Sequence, residues 1–183
     1  VNTDNFPVRR IDLSADGSIA AVQHDFFDLH IIDRTTNSVV FELSFEPNSL
    51  YLSGSQNHPR FDLSDDGKHL VANVRQFGDN FEGGLLYINL ETGATEYIFS
   101  AFPNLPAPRL SISDDGRFLA FTSRQPDLVP GDSISDGSSL DTDLFVWSRD
   151  SGGITWIEEA GLIPSAGINA AVPVLSGDGS RLL

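Results

Sequence analysis

Apolar and polar residues alternate along this chain in short runs, and the runs recur. Ile11 and Leu13, Phe61 and Leu63, and Leu110 and Ile112 each flank a polar residue, which is the period of a β-strand. Each run leads into an Asp-Gly pair: Asp16-Gly17, Asp66-Gly67, Asp115-Gly116 and, in a fourth copy, Asp178-Gly179. An apolar stretch follows the first three turns at 19–22, 70–72 and 118–121. The four copies read RRIDLSADGSIAAV (9–22), PRFDLSDDGKHLVA (59–72), PRLSISDDGRFLAF (108–121) and AVPVLSGDGSRLL (171–183). Each predicts a β-hairpin in which Asp and Gly both take positive φ and Ser14, Ser64, Ser113 or Ser176 bonds nearby amides.

Two further strands fit into each complete repeat. They run over 29–32 and 39–43, then 85–90 and 95–99, then 144–147 and 154–157, with polar turns between the members of each pair. Gly, Pro, Asn and Asp punctuate the chain too often for long helices. The sequence thus predicts an all-β fold of four-stranded antiparallel blades, the unit of a β-propeller. The repeats are approximately 9–58, 59–107, 108–170 and 171–183.

The phrase S-x-D-G-x-x-(I/L)-A-F, with LLYINLETG at 85–93 and LFVWSRDSG at 144–152 as second halves, resembles the TolB-type, WD40-like propeller repeat. The resemblance runs through three complete repeats and the start of a fourth, and it implies a location in the periplasm, at the cell surface or outside the cell. Three and a half blades do not close a ring, so the expectation is an incomplete propeller. It would be a fragment, an incompletely recorded chain, or one half completed by further blades of the parent or by another chain. A start at Val1 fits processing or trimming.

Composition narrows the partners. In 183 residues, 26 acidic side chains stand against 11 basic ones, a formal charge of −15. That field opposes nucleic acid and anionic membranes. The absence of cysteine excludes disulfides, thiolate metal sites and cysteine nucleophiles. No apolar stretch approaches the roughly 20 residues of a membrane-spanning helix. High acidity without Cys or Met also fits an extracellular or saline setting.

Three groups of residues carry candidate chemistry. The connection QPDLVPGDSISDGSSLDTD (125–143) holds Asp132, Asp136, Asp141 and Asp143 among serines. Hard oxygen donors on a loop suit Ca²⁺, although no EF-hand spacing is present; the other reading is a solvated acidic loop. Arg10, Arg60 and Arg109 share one position just before the first strand of three repeats, with Val172 there in the fourth. On an innermost strand they would line a channel mouth and take an anion or carboxylate, or else bond a neighbouring blade through Asp12 or Asp62. The phenylalanines, Trp147 and Trp156 are expected between blades rather than as a sugar platform.

Other signals lead nowhere catalytic. The block 131–136 spells the nucleophile motif of GDSL-type esterases around Ser133, but it lacks the strand-to-helix setting and a matching downstream His. No G-x-S-x-G elbow occurs, and His24, His30, His58 and His69 show no metal-ligand spacing. The expected function is a non-catalytic binding or scaffolding propeller domain with a protein or peptide partner and no certain cofactor. The alternatives are the accessory propeller of a prolyl-oligopeptidase-like hydrolase, whose catalytic domain lies outside this chain, and a calcium-stabilised extracellular assembly module.

Overall fold

The computed structural model describes residues 8–24, 28–44, 50–52, 61–76, 83–101, 108–125, 127–130, 142–157 and 172–183. Among them every regular element is a strand. The first sheet is a meander of β1 (Arg10–Leu13), β2 (Ile19–Gln23), β3 (Asp28–Asp33) and β4 (Ser38–Ser44). The second contains β5 (Leu50–Leu52), β6 (Phe61–Leu63), β7 (His69–Gln76), β8 (Gly83–Asn89) and β9 (Thr95–Ala101). The third repeats the meander with β10 (Leu110–Ile112), β11 (Phe118–Ser123), β12 (Asp143–Ser148) and β13 (Ile154–Trp156). All pairings are antiparallel. The fourth copy forms a narrow hairpin closed by the Leu175–Leu182 bridge.

The second sheet departs from the simple repeat. β5 and β6 lie on the same edge of β7, with Leu52 opposite Val74 and Phe61 opposite Ala72. The first-strand position of this blade is therefore filled by two segments. The short run 50–52 carries too little periodicity to show as a strand in the sequence.

Face-to-face packing explains the apolar runs. In the middle blade Leu70, Ala72, Val74, Leu86 and Ile88 pack on Ala21, Leu29 and Ile31 of the first blade. The alternate residues Val71, Leu85 and Tyr87 join Leu119, Phe121, Phe145 and Trp147 of the third. A sheet buried on both faces loses the apolar-polar alternation, as β8 does here. Phe99, Phe121 and Phe145 form an aromatic stack, with centroids 5.2 and 5.5 Å apart. Among the described residues Phe61, Phe99, Phe121, Phe145 and Trp147 thus serve blade-to-blade packing; Phe6, Phe26, Phe27, Phe45, Phe77, Phe81 and Phe102 lie outside them.

The Asp-Gly turns differ from the expected form. Only glycine takes positive φ, at 69°, 70°, 64° and 68° for Gly17, Gly67, Gly116 and Gly179, and none of the four preceding Asp residues does. The turn is a four-residue loop closed by a Gly N–H to Ser C=O bond, as from Gly17 to Ser14 at 2.9 Å. Aspartate instead serves through its side chain: Asp16 accepts from Ser14 Oγ at 2.7 Å and from Ser18 N–H at 2.8 Å. Ser14 Oγ in turn accepts the Ile19 N–H at 3.0 Å, which pins the start of β2. The same set recurs at Ser64, Ser113 and Ser176. At Gly116 a side chain would collide with the His69 ring of the preceding blade, so the turn also needs glycine for close approach.

Phe145 is fully buried in the seam between the second and third blades. Phe145→Ala should cost about 3–5 kcal/mol in urea unfolding; a loss below about 1 kcal/mol would show that this seam does not hold the fold.

Candidate functional site

The polar chemistry concentrates where blades meet, and the first strands supply most of it. These strands run side by side from blade to blade: β1 lies against β6, and β6 against β10. As edge strands they present N–H groups that no strand within their own sheet can take. A side chain of the preceding blade takes them. Asp12 Oδ2 accepts the Leu63 N–H at 3.0 Å, Asp62 Oδ2 accepts the Ile112 N–H at 2.9 Å, and Ser111 Oγ accepts the Leu175 N–H at 3.2 Å. Acceptor and donor hold the same repeat positions each time.

Asp12 and Asp62 bring two carboxyl groups to adjoining seams. Burial first, then the nearby Asp12, raise the pKa of Asp62 to about 7 against the pull of the Ile112 N–H. The Arg10 guanidinium works in the opposite direction, so at neutral pH Asp62 stands between its two forms. Arg10 lies 5.3 Å from the centroid of the Phe61 ring, a cation–π distance.

A second polar seam joins the middle and third blades. His69 is buried, with Nδ1 2.7 Å from Tyr87 Oη and Nε2 2.6 Å from Arg149 Nη1. Arginine only donates, so Nε2 accepts and Nδ1 carries the proton that is donated to Tyr87; this tautomer is assigned from the partners. Burial and the neighbouring Arg149 lower the His69 pKa. Arg149 also donates to the Asp115 carbonyl at 3.2 Å. His69 is thus a polar tie between blades, which its isolated place in the sequence did not signal.

The turn ends form a third band of contacts. Backbone bonds run from Ala15 N–H to Asp65 C=O, from Asp66 N–H to Asp114 C=O and from Asp114 N–H to Gly177 C=O, each 2.9 Å. The Ser18 amide and the Ser14 hydroxyl hold the exposed Asp16 near pKa 2. The Ser180 amide, followed by the Ser176 and Ser180 hydroxyls, does the same for Asp178. At Asp114 desolvation leads, followed by Asp65 and Asp115, and the pKa rises.

Only part of the expected site lies among the described residues. Arg10 begins β1, and Arg109 stands just before β10, its carbonyl accepting the Thr122 N–H at 2.9 Å. Both lie at the end of the first strands away from the Asp-Gly turns. Arg60 lies outside the described residues, as do Asp132, Asp136, Asp141, Ser133 and His58. Asp143 opens β12, next to Thr142, whose Oγ1 accepts from Arg124 Nε at 3.0 Å. The His24 and His30 rings meet at a tilt on the first blade, centroids 5.0 Å apart, and His30 lies 3.7 Å from Glu42. Among the described residues no cluster of three or more His, Asp or Glu is arranged to hold a metal.

The two titrating seams predict opposite pH slopes. Asp62 keeps its proton in the folded state up to about pH 7, whereas the unfolded chain loses it near pH 4. Folding stability therefore falls as pH rises from about 4 to about 7, by at most about 1.4 kcal/mol per unit, and then levels off. Asp62→Asn retains an acceptor for Ile112 and should remove that slope in melts across this range. An unchanged slope would place the titrating group elsewhere. His69 acts the other way: with its folded pKa lowered, stability falls as pH drops below about 6.5.

No family model matches the chain, and no curated protein matches it by sequence. Solved structures do match. TolB from Acinetobacter baumannii is 17% identical with a TM-score of 0.57, over 96% of this chain and 37% of that one. The tricorn protease gives 22% and 0.59, over 96% of this chain and 15% of that one. A putative TolB from Agrobacterium tumefaciens gives 14% and 0.50, over 94% and 51%. The chain therefore spans about a third of the first of these, a half of the last and less of the protease. At such identities the likeness shows the fold alone: with the blade meanders and their repeated seams, the chain folds as part of a β-propeller similar to the TolB structures.

Proposed function

We propose that this chain is part of a non-catalytic binding and scaffolding propeller that works in the periplasm, at the cell surface or outside the cell. One observation carries the reading: polar side chains at equivalent positions of the repeat are engaged in holding blade to blade. Asp12, Asp62 and Ser111 clasp the next first strand, and the turn serines and aspartates hold their own turns. Recognition then falls to the two ends of the blades and to their connections, where propellers vary without disturbing the frame. The location follows the resemblance of the repeat, and protein or peptide partners suit a rigid, acidic frame with an apolar interior.

Within that reading, the end marked by Arg10 and Arg109, with Arg60 at the same repeat position, takes a carboxylate or similar anion. Guanidinium groups at one shared repeat position supply, in a protein of charge −15, positive charge that opposes the overall field. N-acetyl-tetraalanine with a free C-terminus serves as the probe, and its C-terminal amide as the control. Calorimetry should show binding of the acid but not the amide, weakened at least tenfold in Arg109→Gln. Equal binding of acid and amide, or an unaffected variant, would refute the anion site.

The loop 125–143 supports a calcium reading through its oxygen-rich sequence. After EDTA treatment, millimolar Ca²⁺ should raise the melting temperature, and Asp136→Asn with Asp141→Asn should abolish the rise. No shift in the unsubstituted protein would leave a solvated acidic loop.

A further inference from the structure

The clasp between first strands follows a positional rule that leaves one donor to assign. The donors Leu63, Ile112 and Leu175 each lie four residues before their turn glycine, and the acceptors Asp12, Asp62 and Ser111 lie five before theirs. Leu13 is the matching donor of the first blade. Its N–H bonds the side chain of its own neighbour, Asp12 Oδ1, at 3.0 Å in an exposed contact. The other oxygen of that carboxylate already serves Leu63.

The surface around Leu13 continues the pattern of the buried seams. Leu13 and Ile11 pair with Ala20 and Val22, so all four side chains share the face turned away from the second blade. Leu13 and Ile11 are 46% and 56% exposed, and Val40 of β4 is 52% exposed. The equivalent residues Phe61, Leu63, Leu110 and Ile112 are buried beneath a preceding blade. At the other end of the array the acceptor position is Val174, a hydrocarbon side chain with no lone pair to offer.

We propose that the open face of the first blade is covered by a further blade of the same polypeptide, whose first strand presents Asp, Asn, Ser or Thr five residues before its turn glycine and accepts the Leu13 N–H. The fourth repeat of a second copy, with Val174 in that place, does not fit this role. The inference rests on the propeller reading and adds the chemistry of the incoming side chain. Continuity decides the occupant: each described seam joins blades consecutive in one chain, through the same pair of positions. A side chain beside Asp12 also meets its charge, as Asp62 does, so a neutral acceptor or a protonated Asp suits the site best.

Two readouts on the full polypeptide separate the clasp from the covering blade. The Leu13 amide should exchange with deuterium within about tenfold of the Ile112 amide. In Ile11→Cys, a residue introduced into a chain without cysteine, maleimide should react at least tenfold more slowly than with an exposed control such as Thr92→Cys. Both results, independent of protein concentration, are the expected outcome. A blocked Cys with a rapidly exchanging Leu13 amide would overturn the clasp and leave the covering blade standing. Rapid labelling together with rapid exchange would overturn both. Protection that grows with protein concentration would make the occupant a second copy and overturn the assignment to the same polypeptide.

Discussion

A sheet with its first strand at the centre of an assembly cannot satisfy that strand from within. Half of the N–H and C=O groups of β1, β6 and β10 point away from the second strands of their own sheets. A buried amide without a partner costs on the order of 1–3 kcal/mol, so these edges set a demand on the whole arrangement. The answer is local and repeated: a carboxylate or hydroxyl on one first strand accepts the N–H of the next. Since the bond passes from one blade to another, it fixes their relative height as well as satisfying the donor. The face-to-face apolar packing is non-directional and would tolerate sliding; the clasp does not.

The other contacts follow from that fixed height. With the first strands in step, the Asp-Gly turns reach one another and form their own backbone bonds at 2.9 Å. Gly116 then lies against His69, which leaves no room for a Cβ, and Arg149 meets the Nε2 lone pair of the same ring. Each seam is thereby tied at the first strand and at the turn, with aromatic and aliphatic packing between. The cost is electrostatic. Burial of Asp62 in its seam, with Asp12 close by in the adjoining one, holds a proton on Asp62 nearly to neutrality. The same group that orders the blades therefore makes their stability sensitive to pH.

Part of this was legible in the residues. The Asp-Gly repeat and the period-2 runs marked the hairpins, and the strand pairs 29–32/39–43, 85–90/95–99 and 144–147/154–157 all appear as paired strands with boundaries shifted by one or two residues. Alternation works as a signal because each Cβ must point to one face or the other. It gave no sign of β5, three residues long and joined to the sheet through β7. It also misplaced the conformational demand of the turn, which falls on glycine alone while Asp contributes through its carboxylate. The arginine series drew attention to the right strands, yet the residues two positions on from Arg10 and Arg60 proved to be the interblade acceptors.

The sequence by itself determined the kind of fold, the number of repeats and the place of each turn, because these depend on neighbours a few residues apart. Only the tertiary structure decided what Asp12, Asp62, Ser111, His69 and Arg149 do. Their partners lie roughly one repeat or more away along the chain: 51 residues for Asp12 and Leu63, and 80 for His69 and Arg149. An isolated aspartate on a strand reads as a solvated side chain until the next blade arrives with a donor. Its role is set by a distance in space, which no local pattern of hydrophobic and polar residues encodes.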